Sequence, residues 1–240
     1  MPILERLDDG FSRVRPSWKG RTVAIFGGGP SLTKEQVERV GWHHSDERLV
    51  AIGVNDAFLW APWVDVLYAA DSQWWIWTQK GTAKPLIGLT AEDVAARYAA
   101  FNGERLTMQN SGSNVTEPKV HKIRNASHPH NTGSGISLDP TKLVSARASG
   151  YQAMTLAILA GVARIILLGY DGRPNAEGKT HWFGKHPVNG DLAVYEQFRR
   201  YMSLGESDIF ATGVEVLNCS PGSAYDNFPK MDLREALKRI

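Results

Sequence analysis

Residues able to do chemistry recur at a few places in this chain. His181 and His186 share a short segment with Trp182, Gly184 and Lys185. A histidine that titrates near neutral pH suits removal of a proton from a hydroxyl group. The same segment also reads as an ordinary solvated loop. Lys185 and Arg147 can neutralise a diphosphate or a departing phosphate. Gly27-Gly28-Gly29-Pro30-Ser31 is a turn almost without side chains. Such a turn lets backbone N–H groups approach a phosphate, and the helix N-terminus behind it favours negative charge. The turn lacks the third glycine of the dinucleotide fingerprint, where Leu32 stands, and no Gly-Lys-Ser/Thr follows it as in a P-loop. It also reads as a tight strand-to-helix connection with no ligand.

Further polar residues stand at comparable places. Asn55 is a ligand contact or a turn residue. Asp71 either caps the helix that starts near Gln73 or binds a Mg²⁺ bridging phosphates. Asp171 follows a Gly-Tyr pair and either contacts a ligand or orders the next loop. Ser149-Gly150 opens a helix. Trp74, Trp75 and Trp77 are at helical spacing, as in a packed core, although an aromatic wall that stacks a sugar or base has the same spacing.

The elements that must position these residues are legible in the apolar pattern. Thr22–Phe26, Leu49–Val54, Val64–Ala69, Arg164–Leu168 and Val214–Leu217 read as strands. They are short and continuously apolar, as when both faces of a parallel sheet are covered. Thr33–Val40, Ala91–Phe101, Gln152–Ala160, Asp191–Leu204 and Met231–Ile240 read as helices. Alternating strands and helices predict a three-layer α/β fold with a mostly parallel sheet. Between Glu104 and Val144 the chain turns polar and rich in Gly, Ser, Asn and Pro. It predicts an irregular insertion or lid at about 104–144, with weak strand patterns at Arg105–Gln109 and Val120–Arg124. Ligands of such sheets bind beyond the carboxyl ends of the strands, and that is where the glycine turn, Asn55, Asp71 and Asp171 fall.

Composition sets outer bounds. The 240 residues fit one domain, with 42% hydrophobic and 22% charged residues. A formal net charge of +2 lacks the basic footprint of unaided nucleic-acid binding. The lone Cys219 excludes an internal disulfide and a cysteine-rich metal site. Residues Met1–Arg15 do not read as a signal peptide, and no apolar run reaches the roughly 18 residues of a membrane span. A cytoplasmic protein is expected.

Four of these stretches together resemble glycosyltransferase family 42, the bacterial sialyltransferases. They also resemble the wider group of Rossmann-like proteins that includes archaeal 6-hydroxymethylpterin pyrophosphokinases. Val23–Leu32 is similar to the family's first strand and Gly-Asn-Gly-Pro-Ser-Leu turn. Val50–Phe58 is similar to its second strand, which ends in Asn. Ala148–Asp171 is similar to Ser-Gly, a helix, and a strand ending in Gly-x-Asp. His181–Phe198 is similar to a His-aromatic-x-Gly-His segment followed by a helix. The resemblance implies a Rossmann-like fold and a cytidine nucleotide sugar. Gly27, Gly29 and Ser31 would lie along its phosphate, Asn55 at the nucleoside, and Ser149 and Gly150 facing the nucleotide. It implies a histidine base after Gly184, which is His186 with Lys185 inserted before it, and His181 is the rival. Gly28 departs from the family's Asn, and Asp71 fits the wider group better than the sialyltransferases.

Three readings follow. The first is a nucleotide-sugar-dependent glycosyltransferase with a histidine base, an acceptor of unknown kind and no required metal or cofactor. The second is a Mg²⁺-dependent pyrophosphokinase or phosphoryl transferase, with Asp71 and Asp171 holding the metal and ATP. The third is a nucleotide-binding module without chemistry. A homo-oligomer is compatible with each.

Overall fold

The computed structural model describes residues 1–80, 88–109, 115–126, 135–184 and 193–240. The chain opens with an antiparallel pair, β1 (Leu4–Arg6) and β2 (Ser12–Val14). β3 (Thr22–Phe26), α1 (Lys34–Ser45) and β4 (Leu49–Val54) follow. A 3-10 turn (Asn55–Leu59), β5 (Val66–Tyr68), α2 (Ser72–Lys80) and α3 (Ala91–Ala100) come next. β6 (Glu104–Gln109), β7 (Val120–Asn125), β8 (Lys142–Leu143) and α4 (Ser149–Leu159) continue the chain. It ends with β9 (Arg164–Leu168), α5 (Ala193–Ala211), β10 (Glu215–Asn218) and α6 (Leu233–Leu237).

Among the described residues, eight strands form one sheet in the order β10-β9-β3-β4-β5-β6-β7-β8, and every neighbouring pair is parallel. Side chains alternate between its two faces. Val23, Ile25, Val50, Ile52, Ile165 and Leu167 enter a core shared with α4 and α5. Ala24, Phe26, Ala51, Ile166 and Leu168 enter the opposite core, shared with α1, α2, α3 and α6. Both faces are covered, which is why these strands are apolar throughout and readable as strands. The result is the expected Rossmann-like three-layer α/β fold.

The polar stretch expected as an irregular insertion contributes three strands to the sheet among its described residues. β6 and β7 match the weak strand patterns, and β8 extends the edge. Leu106, Met108, Ile123 and Leu143 are fully buried there, so few apolar residues suffice when each points into a core. The hairpin β1–β2 was not anticipated, because its strands are only three residues long. It is fastened to β6 by the Glu104 carboxylate, which accepts from the Ile3 and Leu4 N–H groups at 2.7 and 2.9 Å. Among the described residues no helix is long and apolar enough to cross a membrane.

Candidate functional site

The site begins with strand order. β3 lies between β4 on one side and β9 on the other, so the chain changes direction across the sheet at β3. Crevices of parallel sheets open at such a switch point. The turns after β3 and β9 meet there. Gly27 N–H donates to Leu168 O at 2.7 Å, and Gly29 N–H donates to Gly169 O at 2.9 Å. A Cβ on either glycine would lie 2.6 Å from Gly169 O, and one on Gly29 would also run into Asp171 Oδ2. Gly27 and Gly29 are therefore required by the close approach of two backbone turns, whatever ligand they meet.

Asp171 ties the turns together from the β9 side. Its Oδ2 accepts from Ser31 Oγ at 3.0 Å and from Ser31 N–H at 3.3 Å. The residue is only 7% exposed. Burial pushes its carboxyl up to about 6, against the opposing pull of the Ser31 hydrogen bonds and the nearby Arg173 charge.

Asn55, just after β4, lines the same cavity. Its φ of 51° is left-handed, which Asn tolerates better than most side chains. Its Oδ1 is buried and accepts no hydrogen bond among the described residues. A buried acceptor without a donor costs about 1–3 kcal/mol. A left-handed backbone and an acceptor unmet among the described residues thus coincide at one residue of the cavity wall. The neighbouring Asp56 is held from the other side by Trp74, whose Nε1 donates to Asp56 Oδ1 at 3.0 Å. Trp74 and Trp75 are core residues, as their spacing suggests, and Trp75 Nε1 donates to Ala69 O.

The far wall is the start of α4. Its N-cap, Ala148, offers no side-chain hydrogen bond. The first-turn N–H groups of a helix have no intrahelical acceptor, so Ser149 and Gly150 bring donors and a positive dipole end to the cavity. Ala146 and Arg147 before them are both left-handed, at φ 41° and 51°. That bend is anchored below by a buried relay. Tyr68 Oη donates to Gln152 Oε1 at 2.6 Å, and Gln152 Nε2 donates to Ser145 O. Tyr170 Oη donates to Gly150 O at 2.9 Å, tying α4 to the end of β9.

The segment Thr180–Gly184 closes the remaining side. His181 N–H donates to Gly184 O at 2.9 Å, forming a tight loop. His181 Nδ1 lies 2.9 Å from Thr180 Oγ1, and the imidazole stacks on Phe183 with centroids 4.8 Å apart. Tyr195 of α5 donates from its Oη to Thr180 O at 3.2 Å. Burial, and after it the Asp171 charge, raise the Tyr195 hydroxyl above its usual range.

These walls enclose a cavity of about 340 Å³. Of the residues singled out in the sequence, Gly27, Gly28, Gly29, Asn55, Arg147, Ser149, Gly150, Asp171 and His181 line it. Ser31 stands behind the wall, bonded to Asp171. Lys185 and His186 lie outside the described residues. Asp71 is not among the described lining residues. Its Oδ1 accepts from Gln73 N–H at 2.8 Å at the start of α2, which is the capping alternative. Tyr170, Arg173 and Tyr195 line the cavity without having been anticipated. Only the Gly-x-Asp context of Tyr170 marked one of them in the sequence.

Chemically, the cavity offers helix N–H donors and two rim cations, Arg147 and Arg173. It adds Asn55 and a histidine. This set suits an anionic ligand that also carries an N–H or O–H donor.

No protein-family model matches the chain, and no curated protein matches it. Among solved structures, the MAf glycosyltransferase from Magnetospirillum magneticum AMB-1 is similar, with a TM-score of 0.56 and 16% identity. The match covers 93% of this chain and 36% of that one, so this chain spans little more than a third of that structure's length. At this identity the likeness is one of fold.

Proposed function

We propose that this chain is a nucleotide-sugar-dependent glycosyltransferase that takes a cytidine nucleotide sugar as donor. One observation carries the reading. A helix N-terminus with no side-chain cap among the described residues, Arg147 and Asn55 converge on a single cavity at the sheet's switch point. The fold likeness to a glycosyltransferase and the resemblance of the glycine turn, Asn55, Ser149-Gly150 and the histidine segment to sialyltransferases support it.

In this reading the donor phosphate sits at the first turn of α4 beside Arg147. Asn55 contacts the nucleoside. A histidine of the 181–186 segment removes the proton from the acceptor hydroxyl, and the acceptor oxygen attacks the anomeric carbon. The bond from that carbon to the phosphate oxygen breaks, and the nucleotide leaves with the electron pair. Arg147, the α4 dipole and Lys185 offset the charge that develops on it. His181 is the histidine that lines the cavity among the described residues, and His186 is its rival in the same segment.

The rival phosphoryl-transfer reading has Asp71 and Asp171 hold Mg²⁺ and an ATP. The hydrogen bonds from Gln73 N–H to Asp71 Oδ1 and from Ser31 to Asp171 Oδ2 engage one oxygen of each carboxylate, so metal dependence separates the two readings.

A thermal-shift screen of cytidine, uridine and adenine nucleotides, each with and without Mg²⁺, tests the proposal. A cytidine nucleotide at a hundredfold its Kd adds about 2.7 kcal/mol of stability. For a domain of this size that raises Tm by about 5–10 °C. The rise is expected with EDTA present. Stabilisation only by ATP with Mg²⁺ overturns the proposal. Separate His181→Ala and His186→Ala variants, assayed at nucleotide concentrations that saturate each variant, then identify the base by loss of turnover. Full turnover in the double variant removes the histidine base altogether.

A further inference from the structure

Gly28 differs from the glycines on either side of it. A Cβ on Gly27 or Gly29 would strike backbone, whereas a Cβ on Gly28 would meet one side chain, His181, with Cδ2 at 3.2 Å and Nε2 at 3.9 Å. The Gly28 backbone lies outside the left-handed region, so conformation does not demand glycine there. The two residues are also held in register. Trp182 N–H donates to Gly28 O at 3.2 Å, which fixes the residue after His181 to the turn. Trp182 in turn packs against Trp60 with ring centroids 3.8 Å apart. The imidazole therefore lies over the middle of the glycine turn, in the volume that a side chain at position 28 would enter.

We infer that Gly28 is a positioning residue for His181. Its missing side chain lets the imidazole close over the turn, so the cavity presents an imidazole where an amide or hydroxyl at position 28 would otherwise stand. The pair then sets which group the ligand meets beside the phosphate. This rests on the reading of the cavity as a nucleotide site, and it adds a residue with no reactive group of its own.

The consequence is a specific non-additivity. Gly28→Asn brings a polar side chain into the space of the ring and displaces His181. His181→Ala empties that space. Combined, the two substitutions fit together, because the amide occupies what the ring has left.

The experiment is a double-mutant cycle on Gly28→Asn and His181→Ala, read by cytidine monophosphate affinity and by the His181 ring resonances in NMR spectra of the whole chain. Each single variant is expected to weaken binding about tenfold. The double variant is expected to bind no more weakly than His181→Ala alone, rather than a hundredfold more weakly than wild type. The His181 resonances are expected to move progressively from wild type through Gly28→Ala to Gly28→Asn. Multiplicative losses, or ring resonances unmoved by Gly28→Asn, overturn the inference. If wild type binds ATP and not the cytidine nucleotide, the donor reading falls. The cycle is then run with ATP under the same criteria. If neither nucleotide binds, the His181 resonances decide the pairing.

Discussion

Ser31 and Asp171, 140 residues apart in the chain, share a hydrogen bond of 3.0 Å across the gap between the turns that follow β3 and β9. Asp171 is buried and its carboxyl is pushed up to about 6 from an ordinary 3.8. The folded protein thus holds a proton there that the unfolded chain releases. This contribution to stability is fully present below about pH 4 and is lost as pH rises through about 6. Its size is about 3 kcal/mol. Asp171→Asn keeps an acceptor for Ser31 and cannot ionise. Urea denaturation from pH 4 to pH 7 is expected to show wild type losing about 2 kcal/mol relative to the variant. Parallel curves for the two proteins would show that the carboxyl is not perturbed.

The glycine turn separates packing from ligand contact. Gly29→Ala places a methyl group against the Gly169 carbonyl and the Asp171 carboxylate, neither of which can swing away cheaply. A loss of about 2–3 kcal/mol is expected, as for overpacked sites. Gly28→Ala meets only the edge of His181 and is expected to stay within about 1 kcal/mol of wild type, since alanine also lowers the entropy of the unfolded chain. Equilibrium unfolding of the two variants checks this, and equal stabilities would contradict the contacts described.

Asn55 combines a left-handed backbone with a buried acceptor unmet among the described residues. Asn55→Gly relieves both and is expected to raise stability by about 1 kcal/mol. The same substitution removes one hydrogen bond to the ligand, worth about 1 kcal/mol, or roughly a fivefold loss of nucleotide affinity. Stability by chemical denaturation and affinity by calorimetry should move in opposite directions. A variant that loses stability instead would mark Asn55 as a residue of the fold.

Tyr68 and Gln152 test how the α4 terminus is held. Tyr68→Phe removes the donor to Gln152 Oε1 and leaves that acceptor buried. A cost of about 1–3 kcal/mol is expected. Because Gln152 also holds Ser145 beneath the left-handed bend, nucleotide affinity should fall too, although Tyr68 is not among the described residues lining the cavity. Calorimetric titration of Tyr68→Phe at a temperature well below its Tm checks the second point. Unchanged affinity would show that the relay supports the fold alone.

The boundaries of β3, β4 and β9 could be read from the chain alone, because each is a continuous apolar run covered on both faces and bounded by polar turns. The amino acids likewise marked the glycine turn, Asn55, Ser149-Gly150 and Asp171, since small and polar residues at strand ends are visible without knowing which strands are neighbours. The strands of the polar stretch 104–144 were faint, because a sheet edge needs only a few inward-pointing side chains such as Leu106 and Ile123. Only the tertiary structure decided which marked residues meet. Strand order sets β9 beside β3, so Gly27 and Gly29 answer to Gly169 and Asp171, far along the chain. It leaves Asp71 capping α2, outside the described residues that line the cavity. It also brings His181 over Gly28, a contact between residues more than 150 positions apart that no local pattern of side chains encodes.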